Sequence, residues 1–214
     1  MALLSYLGLF TNFIPAALGL FHWNHLPQVV RWFTIMCLII AINGLLGFLG
    51  EHLIKNNMPL FHFYLLVEGC FLIVIFSRLL MDFVHPFLKP VALMVYASYW
   101  LANVFFADGI LGYPTTILAV EALLLMGLAS SWFFKVLKQR KLSNPAQTFG
   151  FWLSTGVLIF FSGNLLLFIF SNYIFSMEPH VFRAIWDIHA LLVLIIHIHY
   201  IIAILWARKN PILS

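Results

Sequence analysis

The chain has 214 residues, of which 64% are hydrophobic and 8% are charged, and its net charge is +4 at pH 7. Soluble domains carry about 25% charged residues, so this composition excludes a soluble protein and indicates an integral membrane protein. The length leaves no room for a separate soluble domain, and we expect no nucleic-acid partner, because the positive charge belongs to loops beside a lipid bilayer.

Seven segments are long and apolar enough to cross a bilayer, which takes about 20 residues. In chain order they are 2–21, 30–50, 59–80, 88–107, 114–135, 149–175 and 184–207. Each break between them carries proline, glycine or asparagine, as turns do, and the sixth segment is long enough to tilt or to end in a short interfacial turn. The sequence therefore predicts one all-α domain, residues 1–214, built as a polytopic bundle of seven transmembrane helices.

The basic residues of the loops predict the orientation of this bundle. With seven spans, the N-terminus and the second, fourth and sixth loops share one side, whose only basic residues are Lys55 and Arg183. The other side has nine: Arg31, Arg78, Lys89, Lys135, Lys138, Arg140, Lys141, Arg208 and Lys209. Because basic loops are retained in the cytoplasm, we expect the N-terminus outside and the C-terminus in the cytoplasm.

Ionisable residues within the spans indicate a functional site. Glu68 and Glu121 lie near the middle of the third and fifth spans, where a carboxylate normally faces a partner, a cavity or a ligand rather than lipid. Tyr64 precedes Glu68 by one helical turn, and Trp186 and His189 are i,i+3 neighbours on the last span. Most polar residues fall in the outer half of the predicted bundle, which predicts an outward-facing pocket. Its expected ligand-binding residues are Glu68, Glu121, His189, His62, Tyr64, Asn164 and Trp186.

Structural roles stay open for the same residues. Asparagines within a membrane bundle commonly hydrogen-bond a neighbouring helix, which applies to Asn43 and Asn164. A buried carboxyl group can also be protonated and held by a hydrogen bond. His197 and His199 point about 200° apart on a helix, so they cannot both face one centre.

A zinc site is the alternative interpretation of the same set, with His62, Glu68, Glu121 and His189 as the candidate ligands, since three protein ligands and a water make a catalytic zinc centre. The natural comparison is with seven-helix hydrolases of the ceramidase and adiponectin-receptor type, which carry an HxxxH pair on the last helix. Here His189 is followed only by His197 and His199, which departs from that pair. A zinc-dependent hydrolase of a lipid amide or ester is therefore the second hypothesis, and a proton-coupled transporter is the weaker third.

Several motifs resemble those of one protein family. Residues 61–68 carry an HxYxxxE pattern, Glu121 lies in a matching element of the fifth span, and the stretches 151–156, 160–165 and 186–189 follow in the same order. Over essentially the whole chain they resemble an uncharacterised family of small seven-helix integral membrane proteins of Bacteroidota-type bacteria, often encoded beside two-component histidine kinases. The resemblance implies a protein of the bacterial inner (cytoplasmic) membrane, involved in signalling, with a histidine kinase as its partner.

We therefore expect a sensory or ligand-binding protein rather than an enzyme. A small molecule, ion or lipid would enter the pocket from the outer side. Its binding would shift the third, fifth and seventh spans, and a signalling partner at the basic face would detect that shift. Zinc would be a cofactor only under the hydrolase hypothesis.

Overall fold

The computed structural model describes residues 3–53, 55–139 and 144–210, which fold into α-helices joined by short turns. The helices are α1 (Leu3–Thr11), α2 (Phe13–Phe21), α3 (Gln28–Leu53), α4 (Met58–Leu79), α5 (Leu88–Phe106), α6 (Thr115–Gln139), α7 (Phe149–Ile169), α8 (Ser171–Ile174) and α9 (Pro179–Lys209). The described ranges contain no strand, which confirms the all-α prediction. Five helices, α3, α4, α6, α7 and α9, are long and apolar enough to cross a membrane, as an integral membrane protein requires.

The first predicted span, 2–21, forms two nine-residue helices instead of one. Pro15 explains the break, because proline has no N–H to bond the carbonyl of Thr11 four residues earlier and its ring crowds that carbonyl. The sixth span, 149–175, ends as α7 and continues into the four-residue helix α8. The fourth span forms the 19-residue helix α5, which is not among the five membrane-length apolar helices.

The helices form a closed ring around a central space. Helix α3 packs on α4, α4 on α6, α6 on α7 and α7 on α9, while α1 and α2 close the ring between α9 and α3. Helix α5 packs mainly against α4, where the bare backbone of Gly69 faces the ring of Tyr96. Gly150 of α7 faces the Trp132 ring of α6 in the same way. These close approaches bring the helices together tightly, which leaves the interior of the ring to a different set of residues.

Basic side chains gather at one end of the ring, which we call the basic end. Its described members are Arg31, Arg78, Lys89, Lys135, Lys138, Arg208 and Lys209, while Arg140 and Lys141 lie outside the described residues. Lys135 Nζ donates to the Leu79 carbonyl over 2.7 Å, and Arg208 Nη1 lies 3.2 Å from His22 Nε2. Because a guanidinium can only donate, His22 Nε2 is the acceptor of this bond. Burial and, next, the Arg208 guanidinium lower the pKa of His22. The structure thus groups these side chains together, and the side of the membrane on which they lie stays a prediction.

Candidate ligand-binding site

A cavity of about 880 Å³ occupies the centre of the ring. Small-molecule sites in proteins have volumes of roughly 300–1,000 Å³, so the cavity has the size of such a site. Helices α3, α4, α6, α7 and α9 and the break between α1 and α2 contribute to its wall, and no described residue of α5 does. The cavity reaches the end of the ring opposite the basic end, where Lys55, Asn56 and Asn57 of the α3–α4 loop line it.

The structure divides the seven predicted site residues into two groups. Glu68, Tyr64, His189 and Trp186 line the cavity. His62, Asn164 and Glu121 are fully buried behind its wall. The sequence-predicted set therefore contains both side chains that face the cavity and side chains that support its wall.

Glu68 is the carboxyl group of the cavity wall. The Tyr64 hydroxyl, one turn earlier on α4, donates to its Oε2 over 2.5 Å. Cys37 of α3 and Tyr200 of α9 also line the cavity and lie close enough for a charge on Glu68 to act on them. Groups from three helices thus lie within electrostatic range of this carboxyl group.

Glu121 of α6 has a different environment. Its side chain is fully buried, and neither carboxyl oxygen has a hydrogen-bond partner among the described residues. The Tyr96 hydroxyl lies nearby, but it donates its single proton to the Leu65 carbonyl over 2.8 Å and so is not a donor to Glu121. The Glu68 carboxyl group is also near enough to repel a second negative charge. Because a buried carboxylate without a cation or donor is very costly, we infer that Glu121 is protonated.

Asn164 of α7 determines which nitrogen of His189 carries the proton. Its Nδ2 donates to the Phe160 carbonyl over 2.8 Å, which turns its Oδ1 towards His189 Nδ1, 2.8 Å away. Nδ1 must therefore be the donor, and Nε2 is left as an acceptor in the neutral ring. The Trp186 ring packs edge-on against the same imidazole, with 5.2 Å between the ring centroids.

His197 is a cavity residue that the sequence-based set omitted. The Thr11 hydroxyl donates to the Gly8 carbonyl over 3.0 Å, so its oxygen accepts from His197 Nδ1 at 2.8 Å. Nε2 of His197 is again left as an acceptor. The sequence does contain a signal for His197, because it belongs to a set of residues spaced three or four apart on one face of α9. All members of this set line the cavity: Trp186, His189, Val193, His197 and Tyr200.

His62 and Asn43 stabilise the ring near the α3–α4 loop. His62 Nε2 lies 3.0 Å from the Gly112 carbonyl in the turn before α6, so the buried ring connects α4 to that turn. Asn43 Nδ2 donates to the Leu60 carbonyl over 3.0 Å and connects α3 to α4, and its side chain also lines the cavity. The structural interpretation of Asn43 therefore holds beside a place in the cavity wall.

The residues proposed for zinc do not fit that metal. His62 and Glu121 lie behind the wall while Glu68 and His189 line it, and Nε2 of His62 already contacts a carbonyl oxygen. Within residues 3–53, 55–139 and 144–210, no group of three or more histidine, cysteine, aspartate or glutamate side chains is arranged to hold a metal ion. A catalytic zinc centre needs three protein ligands, and the four candidate residues do not form one.

The chain was compared with protein-family models, with curated proteins and with solved structures. No protein-family model, curated protein or solved structure matches the chain. The family resemblance of the sequence motifs stays a prediction, as do the histidine kinase partner and the bacterial inner membrane.

Proposed function

We propose that the protein is a membrane sensor or ligand-binding protein whose ligand occupies the central cavity. The observation that supports this proposal is a cavity of about 880 Å³, enclosed by the ring of helices, with the Glu68 carboxyl group in its wall. A mostly apolar wall with a few convergent polar groups is usual for small-molecule sites. A charged residue at membrane depth is costly and normally has a functional partner, and a ligand in the cavity would be that partner.

In this proposal the ring crosses the membrane seven times. The five membrane-length helices provide five spans, α5 provides a sixth, and α1 and α2 together provide the seventh. The basic end lies in the cytoplasm, because basic residues are retained there. The mouth of the cavity, beside the α3–α4 loop, then opens to the outside of a bacterial inner membrane.

Helix α9 connects the cavity to the basic end. It carries His189 and His197 in the cavity wall and Arg208 and Lys209 in its last turn. A ligand that binds one arrangement of α4 and α9 more tightly than another shifts the population towards it. A signalling partner at the basic end, such as a histidine kinase, would detect that shift.

Two glycine substitutions test whether a ligand occupies the cavity. Gly47 lines the cavity, and a Cβ atom built there meets nothing within 4 Å, so a phenylalanine at this position would enter the cavity. Gly127 of α6 has equally open space around it, is exposed and does not line the cavity, which makes Gly127→Phe the matched control.

The measurement is native mass spectrometry of the protein released from membrane nanodiscs. We expect wild type and Gly127→Phe to retain the same small-molecule adduct and Gly47→Phe to lose it. An identical adduct pattern in all three proteins, or none in any, would contradict the proposal.

The orientation is tested with two exposed loop asparagines at opposite ends of the ring. Asn56 lies at the mouth of the cavity and Asn144 beside the basic end, and the native Cys37 and Cys70 provide the background reading in wild type. We expect a membrane-impermeant maleimide to label Asn56→Cys on intact cells and Asn144→Cys only after lysis. The reverse pattern would place the basic end outside.

A further inference from the structure

We infer that the cavity selects a ligand whose polar end is an ammonium group attached to an apolar body. The inference rests on the proposed ligand-binding function and adds the chemistry of the ligand. It comes from the hydrogen-bonding character of the cavity wall, which is dominated by acceptors.

Besides Glu51 near the end of α3, three ionisable side chains of the wall present acceptor atoms. The Glu68 carboxylate already accepts a hydrogen bond from the Tyr64 hydroxyl on Oε2 and has further lone pairs that can accept. His189 donates its Nδ1–H to Asn164, and His197 donates its Nδ1–H to Thr11. Neither acceptor lines the cavity. The Nε2 atoms of the two histidines form no hydrogen bond with any described residue and can only accept while the rings are neutral.

Except for the Tyr113 hydroxyl, which forms no hydrogen bond with a described residue, the strong donors of the wall are already bonded, enclosed or at the mouth. The Tyr64 hydroxyl proton is bonded to Glu68. The Trp186 indole nitrogen and the Tyr200 hydroxyl oxygen have almost no accessible surface, so a ligand in the cavity does not reach them without movement of the wall. Lys55 lies at the mouth, in the α3–α4 loop. The carboxamides of the wall can both donate and accept, and so do not change the balance.

An ammonium group matches this wall in both charge and hydrogen bonding. It brings several N–H donors and a positive charge to a carboxylate, the pairing that gives the stronger class of hydrogen bond. The rings of Tyr64, Trp186 and Phe161 line the same cavity, and aromatic faces attract ammonium groups. A carboxylate ligand would instead face the charge of Glu68, and an alcohol brings only one donor.

The test compares three eight-carbon probes: octylamine, octanol and octanoate. Wild type, Glu68→Gln, Gly47→Phe and Gly127→Phe are placed in nanodiscs of phosphatidylglycerol, a lipid without an ammonium group. The Tm of each is then measured against probe concentration. We expect octylamine at about 100 times its Kd to raise the Tm of wild type and Gly127→Phe by roughly 5–10 °C. Glu68→Gln, which keeps the shape but removes the charge, should weaken octylamine about tenfold or more, and Gly47→Phe should abolish the shift.

The ammonium group has two sources, a free amine or an aminophospholipid. Nanodiscs that contain phosphatidylethanolamine separate them. If the lipid itself occupies the cavity, the octylamine shift of wild type shrinks in these discs, while a free-amine site keeps the full shift. Both results support the ammonium inference and name its source.

Other results overturn the inference in distinguishable ways. Octanol or octanoate shifts that equal the octylamine shift and are lost in Gly47→Phe would leave the ligand-binding function standing and remove its ammonium selectivity. The same holds if Glu68→Gln binds octylamine as tightly as wild type. If no probe gives a shift that depends on Gly47, the cavity does not bind amphiphiles, and both the inference and this form of the proposed function fail.

Discussion

The hydroxyl oxygen of Thr11 lies 2.8 Å from Nδ1 of His197 and joins the end of α1 to the wall of the cavity. Thr11 is the last residue of α1, at the break that Pro15 causes, and its own proton goes to the Gly8 carbonyl. One contact therefore holds the broken first span against α9 and sets the tautomer of a cavity histidine.

Replacing Thr11 by valine tests this contact. Valine keeps the shape but removes the acceptor, so the His197 Nδ1–H is left unpaired. We expect a loss of roughly 1 kcal/mol, which lowers the Tm by about 2–4 °C for a chain of this size. Thr11→Ser keeps the hydroxyl and should melt close to wild type, so equal Tm values for the two variants would show that the contact does not stabilise the ring.

Asn164 is predicted to act on the ligand through His189, since it does not line the cavity itself. Asn164→Leu keeps the side-chain size but releases the imidazole, and we expect octylamine affinity to fall on the order of tenfold. A double-mutant cycle with His189→Phe separates positioning from general destabilisation. In the His189→Phe background, Asn164→Leu should change the affinity no further, and a second tenfold loss there would assign Asn164 only a structural role.

Much of the fold could be predicted from the sequence, because the length of the apolar segments and the turn residues between them indicate where helices begin and end. The pair Tyr64 and Glu68 was also predictable, since i,i+4 spacing on one helix does not depend on how the helices pack. The tertiary arrangement was not. Glu121 sits on α6, whose buried face meets α4 and α7, and nothing in its spacing tells whether a carboxyl group faces the cavity or the packed interface behind it.

Two further features had weak sequence signals. Pro15 marks a helix break, but an apolar segment of 20 residues still matches the pattern of an unbroken span. His197 and His199 point in different directions, and their spacing alone does not tell which of them faces the cavity. In the structure His197 lines the cavity, and His199 Nδ1 bonds to the Ile195 carbonyl of its own helix. The stripe that continues from His189 to Tyr200 resolves that choice only once its partner helices are known.

Glu121 is expected to reduce the stability of the ring. Its two carboxyl oxygens are enclosed without a hydrogen-bond partner among the described residues, and an unsatisfied buried polar group costs about 1–3 kcal/mol. Glu121→Met fills similar space with apolar atoms and should raise the Tm by several °C. Glu121→Gln keeps the unsatisfied polar atoms and should give no such gain. A Tm for Glu121→Met at or below that of Glu121→Gln would mean that the carboxyl group has a stabilising partner.

The contact between α4 and α5 depends on Gly69 having no side chain. A Cβ atom there would overlap the ring of Tyr96, which is 3% exposed and held in place by its 2.8 Å bond to the Leu65 carbonyl. Because that ring cannot swing away, we expect Gly69→Ala to cost about 1–3 kcal/mol, as overpacking does.

Two other glycines provide controls. Gly163→Ala would meet the flexible end of Leu192 and should cost less, while Gly127→Ala has open space and should leave the Tm unchanged or slightly raised. Thermal melting of the three alanine variants should rank them in that order, and a Gly69→Ala variant as stable as Gly127→Ala would contradict the packing of α5 on α4.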